Sequence, residues 1–223
     1  SALALVFTAA EYCSSVWLNS AHTSKIDTQL NDTLRTISGA VKSTPIEWLP
    51  VLSNIAPPYI RRQQALLKEY RKIHQNLDLL RHSDMELLRS HRLVSRKPPI
   101  KTAYNLDETN FNVKDRWSEE WNKSNIDHNK LIADPTLRVP GFSLPRKDWV
   151  TLNRIRTGHG RCAYYKHIWG LTDNPACDCG APNQTMLHIA TECPVRAFST
   201  DIVEVHELTT GVQNWLKGLD LQL

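Results

Sequence analysis

The residues of this chain whose types and spacing define a chemistry are Cys177, Cys179, His188 and Cys193. One residue separates the first two thiols, eight lie between Cys179 and His188, and four lie between His188 and Cys193. Three thiolates and one neutral imidazole form the donor set of a closed tetrahedral zinc site, which leaves no position for a reacting water and so serves structure. The spacing predicts Zn2+ as a structural cofactor at 177–193. The competing reading is a group of buried thiols beside a surface histidine. The local context favours the metal. Pro175 and Gly180 flank the Cys-x-Cys pair and put it in a turn. The following run to Cys193 reads as a short helix that carries His188 and Cys193 round towards that turn, and Pro194 stops it. The segment holds few large apolar residues, so metal is expected to order it.

The elements that position this cluster are predicted to be helices. Ile26, Leu30, Leu34, Ile37 and Val41 recur at steps of four and three, one apolar stripe of an amphipathic helix that Thr23 or Ser24 would cap and Gly39 would weaken. Thr44-Pro45-Ile46-Glu47 has the form of a capping box with proline at the first helical position, opening a short helix through Trp48 and Leu49. After the Pro57-Pro58 break, Tyr59 to Gln75 reads as a long basic helix with Leu66, Leu67, Tyr70 and Ile73 on its buried side. Ser83 to Glu86 is a second capping-box pattern, opening a helix through Leu88. Residues 95–111 read as a linker, because Pro98 and Pro99 remove donors and restrict the residues before them. A helix around Trp117 and Trp121 follows, then an irregular stretch marked by Pro135, Pro140, Gly141 and Pro145. Arg146 to Thr157 reads as a helix closed by Gly158 in the left-handed conformation, and His159 to Ile168 as another. Sustained two-residue alternation is absent, which argues against a large sheet.

The expected fold is therefore all-α: a helical bundle followed by a small, helical, zinc-stabilised C-terminal domain. The expected organisation is 1–94 as the first helical region, 95–145 as a linker with a tryptophan-containing helix, and 146–223 as the C-terminal domain. The five cysteines are an odd number. With no basic, apolar leader, that argues against a secreted disulfide scaffold and for a reducing, intracellular setting. Cys13 and Cys162 read as core thiols. The apolar run from Ala2 to Leu18 carries Glu11 and Ser14 and is too short and too polar to span a bilayer. It opens as though in mid-helix, as a piece of a larger protein would.

The net charge of +4 conceals an asymmetry. Residues 61–101 hold eleven Lys/Arg against four Asp/Glu, and residues 146–167 hold six against one. Residues 168–223 reverse the sign, with two against seven. Two basic blocks fit a polyanion partner, although a solvated helix face is the commoner origin of such runs. Arg61, Arg62, Lys68, Arg71 and Lys72 lie on one helix, with Arg61, Lys68 and Lys72 at near-helical spacing. Arg154, Arg156, Arg161 and Lys166 stand beside Tyr164 and Tyr165, a mixture of charge and rings that suits single-stranded nucleic acid. The tyrosines also suit helix-packing core. Catalytic patterns are missing. There is no phosphate-binding glycine loop and no nucleophile elbow. The acidic pairs Asp107/Glu108 and Glu119/Glu120 point in different directions on a helix. No paired aspartates sit in an apolar hairpin to hold two polymerase metals.

Two blocks of the chain resemble one protein family. The first is Glu11-Tyr12-Cys13-Ser14-Ser15-Val16-Trp17, then Leu34 to Ala40, Ser43-Thr44-Pro45, Trp48-Leu49-Pro50 and Ile55-Ala56-Pro57-Pro58. The second is Leu152-Asn153-Arg154-Ile155-Arg156-Thr157-Gly158-His159-Gly160 followed by the cysteine–histidine cluster. In order and spacing they resemble the region beyond the polymerase palm in non-LTR (LINE-type) retrotransposon reverse transcriptases of the jockey-like group, whose C-terminal part carries a CCHC zinc knuckle. The likeness skips the middle of the chain. The knuckle departs from the retroviral nucleocapsid spacing, so metal binding is implied but not that protein's mode of base reading.

The resemblance implies a thumb-like helical region and a knuckle domain from a protein whose endonuclease and catalytic aspartates lie upstream. It implies a non-catalytic C-terminal part of an RNA-directed DNA polymerase. That part would bind template–primer and element RNA or target DNA during target-primed reverse transcription. Its partners would be RNA, DNA and the upstream palm and fingers of the same polyprotein, in nucleus and cytoplasm and away from membranes. The basic residues named above would be the backbone contacts. A domesticated or degenerate zinc-binding interaction module without a nucleic-acid role is the alternative.

Overall fold

The structure is a computed structural model and describes residues 2–76, 78, 98–221 and 223. Among the described residues every regular element is a helix and none is a strand. The expected helix at Ser83–Leu88 and the expected linker residues 95–97 lie outside the described residues. No helix among the described residues is long and apolar enough to cross a membrane.

The chain forms two compact units. Unit 1 comprises residues 1–33 and 56–120. Its elements include α1 (Thr8–Ala10), α2 (Ser14–Trp17), the start of α3 (Thr23–Ser38), α5 (Pro58–Gln75), α6 (Pro99–Glu108) and most of α7 (Val113–Lys123). The helix α4 (Trp48–Ser53) belongs to unit 2. Proline at the first position starts both α5 and α6, where its missing N–H costs no helical bond. Pro98 and Pro99 thus open a helix instead of ending one, and residues 99–108 are helical where the sequence suggested a linker. In unit 1, α5 packs against α2 and α6, and α2 also touches α6. Leu66 and Leu67 are buried, as the apolar stripe of α5 requires, and Tyr70 and Ile73 are half-buried.

Unit 2 comprises residues 34–55 and 121–223. Its helices include α8 (Arg146–Thr157), α9 (Ala163–Ile168), α10 (Ile202–Glu207) and α11 (Thr210–Gly218). Gly158 closes α8 with φ +71 and its N–H on the Ile155 carbonyl, the expected left-handed cap. Asp201 caps α10 by accepting from the Val203 N–H at 2.9 Å, and Thr209 caps α11 through the Val212 N–H. The core gathers Leu152 and Ile155 of α8, Val205 of α10, and Val212 and Leu216 of α11. Cys162 and the segment carrying Met186, Ile189 and Ala190 complete it. Trp48 packs edge-on against Trp121 at 5.0 Å, and the Trp121 indole N–H donates to the Ile132 carbonyl.

Three local expectations differ from the structure. Thr44 does not cap a helix: its hydroxyl is buried without a partner, and α4 begins only at Trp48 after turns from Pro45 and Ile46. The second helix of the C-terminal block begins at Ala163 rather than His159: Gln184 accepts from the N–H groups of Ala163 and Tyr164 and so caps the start. Cys13 is exposed at φ +51 between two short helices, so it is not a core thiol, whereas Cys162 is fully buried.

Candidate functional site

Cys177, Cys179, His188 and Cys193 converge, with all four ligand atoms within 4.8 Å of one another. Cys177 Sγ and Cys193 Sγ are 4.0 Å apart, and Cys179 Sγ is 3.3 Å from His188 Nε2. The backbone explains the convergence. The Gly180 N–H returns to the Cys177 carbonyl and the Cys177 N–H donates to the Ala181 carbonyl, so the first two thiols share one tight turn. His188 to Glu192 forms a single wide helical turn in which the Cys193 N–H donates to the His188 carbonyl at 2.7 Å. That extra residue per turn swings Cys193 onto the side of His188. Thr185 starts the turn by accepting from the His188 N–H. The expected short helix is thus one turn, ended before Pro194 as expected.

The surroundings suit a cationic centre. Burial pushes the Cys177 thiol up to about 11. A bound cation would hold that sulfur as thiolate at neutral pH. Burial also pushes Cys193 upward, but backbone N–H groups of Val195 and Arg196 favour its thiolate and leave it below the ordinary thiol value. The Gln184 amide donates to Cys177 Sγ at 3.6 Å. Glu192 lies 3.5 Å from His188 Nδ1, the ring nitrogen facing away from the thiols, which fixes Nε2 as the metal-facing atom. Arg196 spans Asp178, between the first two cysteines, and Asp220. The four residues therefore fit a tetrahedral metal ion. The segment is less poor in apolar contacts than its composition suggested: Met186, Ile189 and Ala190 are fully buried in the unit 2 core.

The basic residues of α5 divide into two sets. Arg62 is 4% exposed, forms a two-pronged pair with Asp27, and lies over the Trp17 ring. Arg61 makes a two-pronged pair with Glu11 at 2.7 and 2.6 Å and lies over Phe7. Arg71 is paired with Asp107. Lys68 and Lys72 are exposed and carry no ion pair among the described residues. They line an open groove of about 1260 Å³ in unit 1, together with Gln64, Gln75, Asn112 and Lys114. Sequence reasoning missed Lys114, which is distant in the chain. The acidic pairs are occupied structurally: Asp107 by Arg71, Glu108 by the Tyr104 hydroxyl, and Glu119 and Glu120 by Arg116.

The second basic block divides likewise. Arg156 is fully buried, donates to the His206 carbonyl at 2.8 Å, and is pulled down by burial to about 9. Arg154 is half-buried and donates to the carbonyls of Gly39 and Leu223. Arg62 and Arg156 are therefore interior cations, unavailable to a phosphate as they stand. Arg161 is exposed and Lys166 half-buried. Tyr164 and Tyr165 both pack against the core and meet edge-on at 5.4 Å. Sequence reasoning missed His159 and Trp169, which contact Tyr165 at 5.0 and 5.7 Å. The spacing of Tyr165 and Trp169, one helical turn, was the available signal.

Comparison with known proteins places the chain near retrotransposon products. It is 31% identical over 88 residues, 36% of its length, to the retrovirus-related Pol polyprotein from type-1 retrotransposable element R1 of Bradysia coprophila. It is 30% identical over 103 residues, 45% of its length, to a 115 kDa protein in type-1 retrotransposable element R1DM of Drosophila melanogaster. The matched stretches cover 8% and 10% of those proteins, so the chain corresponds to a small part of each. No family model and no solved structure matches. The chain is retrotransposon-related.

Proposed function

We propose that this chain is the non-catalytic C-terminal part of a non-LTR retrotransposon RNA-directed DNA polymerase of the jockey-like group. Unit 1 acts as its thumb, gripping template–primer, and the knuckle domain of unit 2 holds element RNA or target DNA. The observation that carries the reading is the unit 1 groove, where Lys68, Lys72 and Lys114 stand beside amide side chains with no ion pair among the described residues, and where the one lining carboxylate, Glu11, is held by Arg61. Such a lining binds phosphates without reading bases, which fixes register on a duplex. Kinship with Pol proteins supports the same reading. The upstream palm and fingers of the same polyprotein would supply the reacting metals and would be its protein partner. The work would take place in the nucleus, after synthesis in the cytoplasm.

The ion at Cys177, Cys179, His188 and Cys193 is assigned as Zn2+. Zn–S bonds of about 2.3 Å and Zn–N bonds of about 2.0 Å give tetrahedral edges of roughly 3.5–3.8 Å. The separations of 4.0 and 3.3 Å lie close to these edges. Four protein ligands leave no open position, so the zinc braces the domain and performs no hydrolysis.

The competing reading, a domesticated zinc-binding interaction module, draws on exposed apolar side chains in unit 1: Leu5, Tyr12 and Val16 are each about three-quarters exposed. Binding of the zinc-loaded chain to RNA and DNA duplexes distinguishes the two. The nucleic-acid reading expects tight binding that falls when Lys68, Lys72 and Lys114 are together replaced by alanine. Unchanged weak binding by both proteins would leave the interaction module as the better reading.

A further inference from the structure

Three rings meet in sequence on unit 2: His159, Tyr165 and Trp169. The His159 and Tyr165 rings are 5.0 Å apart at 34°, and the Tyr165 and Trp169 rings are 5.7 Å apart at 31°. Tyr165 and Trp169 lie one helical turn apart at the end of α9, joined by the Trp169 N–H on the Tyr165 carbonyl. Core packing accounts for the start of this ladder. Tyr164 and Tyr165 press on the unit 2 core, and His159 meets Ser43 through Nδ1. It does not account for the end. Trp169 is half-buried, and its neighbours Ile168 and Leu171 are 57% and 68% exposed. A large indole left partly in water beside tilted-parallel rings is a platform for one more flat group.

We propose that this ladder, ending at Trp169, stacks unpaired bases of single-stranded nucleic acid. The proposal deepens the nucleic-acid reading above and rests on it. The charge around the rings agrees. Arg161 is exposed and Lys166 half-buried, so two cations lie on the same short stretch as the rings, where a strand's phosphates would run. Asp127 is the acid that acts on His159 and Tyr165, and a strand would have to pass it. A duplex keeps its base faces stacked within itself and offers the indole nothing to cover, whereas every unpaired base has a free face. The unit 1 groove, by contrast, offers lysines and amides for backbone. The two units would thus divide the nucleic acid, paired segments on one and unpaired segments on the other.

The test uses the full zinc-loaded chain with a short unstructured RNA oligonucleotide and an RNA duplex of equal length. Trp169→Ala should weaken single-strand binding roughly five- to 150-fold, the range of one lost ring–base stack. It should leave the salt dependence and the duplex affinity unchanged. Trp169→Phe should recover much of the loss, and zinc content with thermal melting should show both variants folded. Equal loss on both ligands would make Trp169 a packing residue and overturn the proposal. Unchanged single-strand affinity would overturn it too, while leaving the broader reading intact. Failure of the wild-type chain to bind either ligand would remove both.

Discussion

Arg196 holds Asp178 with two nitrogens, at 2.5 and 2.6 Å, and with the same guanidinium reaches Asp220 at 2.9 and 3.1 Å. Asp178 lies between Cys177 and Cys179, and Arg196 follows Cys193 by three residues. The pair therefore ties the two halves of the ligand set together from outside. Arg196 holds both carboxyls below the usual carboxylate range. Outer contacts of this kind orient ligands and typically change metal affinity 10–100-fold when removed. Asp178→Asn should release zinc to a competing chelator more readily by about that factor, and more than Asp220→Asn does. Equal release by wild type and Asp178→Asn would show that the clamp is incidental.

Zinc removal should reach beyond the knuckle. The turn that presents His188 also carries Met186, Ile189 and Ala190 into the unit 2 core. Chelation, or Cys179→Ala or His188→Ala, should therefore strip hydrogen-exchange protection from α8 and α10 while α5 in unit 1 keeps its protection. Native protection throughout unit 2 in chelator would contradict this.

Gly39 ends α3 at φ +73, and a Cβ there would press into Val150. Gly158 has nearly the same φ but open space around it. Left-handed backbone alone costs an L-residue about 1–2 kcal/mol. Gly158→Ala should lose about that much in chemical denaturation, and Gly39→Ala should lose more. Equal losses would mean that Val150 moves aside freely.

His206 supplies a pH dependence. Burial, then the nearby charge of Arg156 and then His128, lower it from 6.5 to about 3. Between these values the unfolded chain binds the proton and the folded chain does not. Stability is therefore full above about pH 6.5 and falls as pH drops towards 3, by at most about 1.4 kcal/mol per pH unit for one group. Acid also protonates the thiolates that would hold a metal, so the readout is the difference between wild type and His206→Gln. The wild type should lose stability more steeply on acidification. Parallel curves would contradict it.

What the sequence made legible was local. The metal ligands lie within one short segment, so their spacing alone specifies the donor set, and Gly158 marks its helix end because left-handed backbone favours glycine. The pairings of the basic residues were not legible. Arg62 meets Asp27 across 35 positions and Arg156 meets His206 across 50, so nothing nearby distinguishes them from the exposed Lys68 and Lys72. Pro98 and Pro99 misled for a related reason: proline breaks a helix interior but favours a helix start, and only the following residues decide which. The ladder of His159, Tyr165 and Trp169 needed the loop before α9 to fold His159 back onto that helix.

Binding of nucleic acid through Lys68, Lys72 and Lys114, which carry no ion pair among the described residues, is the central expectation. The most direct measurement is the salt dependence of binding to an RNA duplex for wild type and for the variant with Lys68, Lys72 and Lys114 all replaced by alanine. Each phosphate contact releases a counterion, and about four contacts give a log–log slope of roughly −3 to −4. The wild type should show that slope, and the variant a slope shallower by roughly 2 to 3, for every sequence tested. Millimolar affinity in both proteins, with no change of slope between them, would contradict the account.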